Sequence, residues 1–150
     1  MNACEILEVV SNNPRMSEES AALQGIARIH DVEGTPLDVM DRAEKLLQDG
    51  YMLVSAPLPP NIPLMRAPYR SLLLKKAPRK YDAEGLKALF KARERIAVQR
   101  SIDQSCLPGT EGDFASIDEE LLLRALRDYE LGRILDAELE ENEMRKVERI

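Results

Sequence analysis

The sequence predicts an α/β fold: a three-layer, Rossmann-like or flavodoxin-like, mostly parallel sheet with a helical C-terminal extension. Three observations lead there. Short runs rich in aliphatic residues alternate with segments of helical apolar spacing. Residues 35–50 carry a complete set of helix start and stop signals. The order β-α-β-α-β-loop-β-α suits a sheet flanked by helices.

Residues 5–11, EILEVVS, read as the first strand, which Asn12-Asn13-Pro14 stops. Asn tolerates turn geometry and Pro14 has no amide to donate to a ladder. Residues 17–24 predict a short helix ended by Gly25, and 26–30 a second strand. Thr35 is a suitable N-cap for a helix over 36–49, with Pro36 in its first turn and Asp38 favoured by its dipole. Val39, Met40, Ala43, Leu46 and Leu47 form its buried stripe, and Gly50 ends it. If the early connections are right-handed crossovers, the strands at 5–11, 26–30 and 51–56 run parallel.

Residues 51–76, YMLVSAPLPPNIPLMRAPYRSLLLKK, are the most informative stretch. They read as a buried strand, a proline-rich loop, an A-P-Y-R-S turn and a strand over 71–75. Asp82 is placed to cap a long helix ending near Ile102. Its expected buried face is Leu86, Leu89, Phe90, Ile96 and Ala97, with Lys87, Lys91 and Arg95 opposite. Arg93 and Arg100 fall in the apolar stripe, which calls for carboxylate partners or outward snorkelling. A loop over 103–115 precedes Ser116-Ile117-Asp118-Glu119, which has the spacing of a capping box. The last helix carries Leu122, Ala125, Leu126 and Tyr129 on one side. Its stripe thins beyond Arg133 to Ile134, Leu135 and Leu139. These readings divide the chain into an α/β domain over 1–110 and an acidic helical extension over 111–150.

The chain has 150 residues, enough to bury a core without disulfides or metal. Its two cysteines, Cys4 and Cys106, are far apart and form neither a disulfide framework nor a zinc motif. A cytoplasmic location is expected, because the N-terminus lacks a basic-then-apolar leader pattern and no apolar run is long enough to span a membrane. The net charge is −6, yet residues 66–100 hold eleven Lys and Arg against three Asp and Glu, and residues 111–150 hold thirteen Asp and Glu against six Lys and Arg. This asymmetry suits neutralisation within one fold or a homodimer in which the acidic tail meets the basic helix. It also suits a basic face for an anion or an acidic partner. Nucleic-acid binding is disfavoured by the net acidity and by aromatics that form no stacking platform.

Ligands of open α/β sheets sit beyond the carboxyl ends of strands. That edge would collect Asn12, Asn13 and Ser55, with Arg66, Tyr69 and Arg70 at the exit of the proline-rich loop. Paired guanidinium groups clamp a carboxylate or phosphate, and Tyr69 can donate a further bond. These six are the candidate ligand-binding residues. The alternative roles are structural: Asn before Pro makes a turn, and the arginines can neutralise the acidic tail. His30 is the only histidine, but the adjacent Asp31 points to the other face of a strand, so no His–Asp relay is expected. Ser11 and Ser55 lack a nucleophile-elbow context. No phosphate-binding glycine loop occurs. The residues therefore call for no catalytic group, cofactor or metal.

SNNP after the first strand, the helix ending in DGY, the following LVSAPL, and APYRSLLL occur together over about residues 5–100. In that order they resemble the GrdX-like family, encoded alongside glycine, sarcosine and betaine reductase systems of amino-acid-fermenting bacteria. The resemblance implies a non-catalytic accessory or binding protein, with a reductase-system protein or a small anionic ligand as partner. It carries no catalytic residues over. The alternative is a small enzyme acting on a carboxylate-bearing metabolite at the sheet edge. Two features depart from the family pattern: residues 58–65 lack the expected Gly and Ser, and the acidic tail after about residue 110 looks additional.

Overall fold

The structure, a computed structural model, describes residues 7–16, 25, 27–55, 67–76, 82–102 and 111–148. Strands β1 (Leu7–Ser11), β2 (Ala27–Asp31), β3 (Tyr51–Leu53) and β4 (Ser71–Lys76) form one sheet in the order β2-β1-β4-β3. Helix α1 spans Pro36–Gln48, α2 spans Ala83–Ile102 and α3 spans Glu111–Glu148. The helix expected at 17–24 lies outside the described residues.

The α/β class holds, but the sheet is mixed rather than mostly parallel. Only β1 and β2 pair in parallel; β4 is antiparallel to both β1 and β3. These pairings still give β1, β2 and β3 a common direction, as expected for the first three strands. What differs is β4, which enters between β1 and β3 running the other way. A parallel β4 would need a crossover, usually helical, whereas an antiparallel return needs none. Five prolines, at 57, 59, 60, 63 and 68, make the intervening sequence a poor crossover helix.

Alternation along the strands sets the layers. Val10, Leu72 and Leu74 face α1 and α2, joining Val39, Met40, Ala43, Leu47, Leu89, Ala92 and Ile96 in one core. Leu7, Val9, Ile29 and Leu73 face the other way and pack with Leu122 and Leu126 of α3. β1 and β4 are thus covered on both faces, which explains their near-continuous apolar runs.

Helix α1 begins as the sequence requires. The Asp38 carboxylate accepts the Thr35 amide at 2.7 Å, and Gly50 adopts φ +99° just past the helix. In α2, Asp82 has two duties. Its Oδ1 accepts the Gly85 amide at 2.9 Å as a cap, and its Oδ2 accepts the Leu53 amide at 2.9 Å, tying the helix start to β3. Phe90 and Ala97 are exposed rather than buried, and Ala92 takes the inward position with Leu89 and Ile96. Arg93 pairs with Asp41 and Glu44 of α1, so this stripe-breaking arginine finds carboxylates. The side chain of Arg100 lies outside the described residues.

Helix α3 starts at Glu111, so residues 111–115 are helical rather than loop, and Ser116 lies inside the helix rather than capping it. Its inward stripe, Ala115, Asp118, Leu122 and Leu126, covers the sheet. The chain from Leu131 to Met144 carries large exposed apolar side chains.

Gly85 tests the α2 junction. A Cβ there would meet Leu47 Cδ2 at 2.9 Å and collide with the capping carboxylate of Asp82. Alanine is favoured over glycine by about 1 kcal/mol in a helix. Overpacking costs about 1–3 kcal/mol, and loss of a cap costs about 1 kcal/mol more. Gly85→Ala is therefore expected to lower the urea midpoint, with a net loss of about 1–3 kcal/mol on those terms.

Candidate functional site

The common direction of β1, β2 and β3 brings their carboxyl ends to one edge of the sheet, where antiparallel β4 begins. Ser11 lies in register with Asp31 on one side and Ser71 on the other. The segments 12–16, 32–35, 54–55 and 67–70 therefore converge there. The polar side chains in this region range from buried to exposed, and several of them are hydrogen-bonded within the fold.

Asn12 acts as a clip. Its Nδ2 donates to the carbonyls of Gly34 at 3.0 Å and Pro68 at 2.8 Å, and its Oδ1 accepts the Arg70 amide at 2.8 Å. One side chain thereby joins the strand ends of β1 and β2 to the approach into β4. Asn13 reaches the opposite way. Its Nδ2 donates to the Ala115 carbonyl at 2.8 Å and to Asp118 Oδ2 at 2.9 Å, while its Oδ1 accepts the Arg15 amide at 3.0 Å.

A hydroxyl relay lies between them. Ser71 Oγ donates to Asp118 Oδ2 at 2.5 Å, so its oxygen accepts the Ser11 hydroxyl at 2.7 Å. Ser11 Oγ accepts in turn from the Asn13 amide at 2.9 Å. The directions follow because each hydroxyl has one proton. Donors in such a chain polarise one another, and all point toward the Asp118 carboxylate. Ser11, Asn13, Ser71 and Asp118 are each less than a tenth exposed.

Arg70 stands beside this chain and is 5% exposed. Burial pushes its guanidinium below the usual arginine range, and the Asp118 carboxylate opposes that shift. Tyr69 is half-buried. Ser55 is also half-buried, and its Oγ accepts the Leu73 amide at 2.9 Å. The structure thus brings Asn12, Asn13, Ser55, Tyr69 and Arg70 to one edge of the sheet. Arg66 lies outside the described residues.

A second polar cluster lies on the α1/α2 face of the sheet. Glu8, 5% exposed, accepts from His30 Nε2 at 3.0 Å and from the Tyr51 hydroxyl at 3.5 Å, with Arg28 Nη1 3.8 Å away. His30 therefore finds its carboxylate across the strand pair, while Asp31, its neighbour in sequence, is exposed. Among the described residues, no group of three or more His, Cys, Asp or Glu side chains is placed to hold a metal ion. No helix among them is long and apolar enough to cross a membrane.

Sequence reasoning did not single out Asp118 or Glu8, though both left a signal. Asp118 falls on the apolar stripe of α3, one turn before Leu122 and two before Leu126. Glu8 interrupts an otherwise apolar strand between Leu7 and Val9. A charge at a core position requires a partner, and each has one.

Comparison with curated proteins found no match, and comparison with solved structures found none. The family model of the GrdX-like protein matches residues 8–127. The match takes in all four strands, α1, α2 and the sheet-covering half of α3. It runs past residue 110, so residues 111–127 belong to the family pattern and are not the addition expected there. The chain belongs to the GrdX-like family.

Proposed function

We propose that this chain is a non-catalytic accessory or binding protein of a glycine-reductase-type amino-acid fermentation system. Its contact region in this reading is the sheet edge, with Tyr69 and Arg66 as contacting groups and Arg70, 5% exposed, as a buried cation of the site. Asn12, Asn13 and Ser55 belong to the site as its frame, since their side chains bond to the protein. The partner is a reductase-system protein or a small anionic ligand, and a second copy of the chain is a further partner. No membrane or nucleic acid is involved, and the setting is cytoplasmic.

The observation that carries the reading is the bonded state of the edge. The hydroxyls of Ser11, Ser55 and Ser71 and the amides of Asn12 and Asn13 all have protein partners. A nucleophile or general base must present its reacting atom to a substrate. Side chains committed to fixed internal bonds instead suit a rigid recognition surface, which loses little entropy on binding. Family membership supplies the biological setting.

Affinity purification of the tagged full chain from a native host tests this. The expected result is identifiable reductase subunits, or a bound small anion, retained by the wild type and reduced at least tenfold by Tyr69→Ala. Recovery of the chain alone would overturn it. Turnover of a carboxylate-bearing metabolite by the purified chain would replace it with the enzymatic reading, in which the buried Arg70 guanidinium holds the substrate carboxylate.

A further inference from the structure

Two exposed surfaces of this chain complement each other but lie on opposite sides of the sheet. The first is the outer face of α2. Lys87, Phe90, Lys91, Glu94, Arg95 and Val98 are all exposed. At 100° per residue they share one side of the helix, opposite the buried Leu89, Ala92 and Ile96. Phe90 and Val98, 59% and 55% exposed, stand one turn to either side of Glu94 in one row, beside a row of three cations, Lys87, Lys91 and Arg95.

The second surface is the end of α3. Leu131, Ile134, Leu135 and Leu139 are 49–61% exposed and lie on one side of the helix. Around them, residues 131–144 carry five carboxylates against one arginine. The helix runs on for about 27 Å beyond residue 130 at 1.5 Å per residue. The family match ends at residue 127, just before this segment.

We propose that the α3 end of one protomer docks on the α2 face of a second copy of this chain, in a reciprocal twofold dimer. Within one chain the contact cannot form, because α3 covers the face carrying Leu73 and α2 covers the face carrying Leu72 and Leu74. A second copy removes that obstacle, and twofold symmetry makes the contact twice. The apolar stripe meets Phe90 and Val98, while Glu138, Glu141 and Glu143 approach Lys87, Lys91 and Arg95. Charge selects this docking over the simplest alternative. Pairing two α3 ends would bring acidic segments together, whereas the α2 face offers cations. The inference specifies the self-association within the reading above and does not depend on the ligand or reductase partner.

The test uses two charge-reversed full-length chains and light scattering at micromolar concentration. The first carries Lys87→Glu, Lys91→Glu and Arg95→Glu. The second carries Glu138→Lys, Glu141→Lys and Glu143→Lys. All six side chains are exposed, and circular dichroism checks that both chains fold. The wild type is expected at twice the 16.9 kDa chain mass, and each variant alone at the chain mass. An equimolar mixture of the variants is expected to return to twice that mass, because each protomer then meets opposite charge at both contacts. A monomeric wild type would overturn the proposal. So would a first variant that still dimerises alone, the result expected if α3 ends paired with each other. A mixture that stays monomeric would also overturn it.

Discussion

Asp118→Ala is expected to destabilise the protein by about 3–6 kcal/mol, because it removes two buried hydrogen bonds to a charged acceptor, from Ser71 and Asn13, at about 1.5–3 kcal/mol each. The substitution leaves the Ser71 hydroxyl without its 2.5 Å acceptor and the Arg70 guanidinium without the carboxylate that offsets its burial. Asn13 keeps only its bond to Ala115 through Nδ2. Asp118→Asn retains an oxygen and the side-chain shape, so its loss is expected to be smaller, about 1–3 kcal/mol. Urea denaturation measures both. A Ser71→Ala, Asp118→Ala double variant should lose less than the sum of the singles, because the two groups bond to each other. Equal, small losses for Asp118→Ala and Asp118→Asn would mean that the network does not hold α3 to the sheet edge.

The second large effect comes from the sheet itself. Leu72→Ala, at a position 0% exposed in the core under α1 and α2, is expected to cost about 2–5 kcal/mol. Leu122→Ala, 2% exposed on the opposite side of the sheet, should cost a similar amount on the same grounds. Both variants should unfold in a single transition, because β1 and β4 contribute side chains to both cores. A separate early transition in Leu122→Ala alone would mean that α3 unfolds independently of the sheet.

Local signals account for most of what could be read before the structure. Thr35, Pro36, Asp38 and Gly50 bracket α1, and Asp82 caps α2; each acts within a few residues of itself, so spacing reveals it. The four strands were visible as short aliphatic runs, and the edge gathering Asn12, Asn13, Ser55, Tyr69 and Arg70 follows from the common direction of β1, β2 and β3. The place and direction of β4 were not visible, because pairing between Val9 and Leu73 joins residues 64 positions apart. The start of α3 at Glu111 is not legible in the sequence, because Ser116 and Glu119 have the spacing of a capping box five residues further on. Asn12 and Asn13 could be placed at the edge, but their partners could not be read. Gly34, Pro68, Ala115 and Asp118 come from three other parts of the chain. The hydrophobicity and spacing of Phe90 suit the core, yet the helix rotation that buries Ala92 turns it outward.

The central claim is that the sheet edge binds a partner, and native mass spectrometry of the full chain, purified without denaturation from its native host, tests it most directly. The account predicts species whose mass exceeds an integer multiple of 16.9 kDa by the mass of a reductase subunit or a small anion, with the excess lost in Tyr69→Ala. Wild-type spectra holding only integer multiples of the chain mass would contradict it.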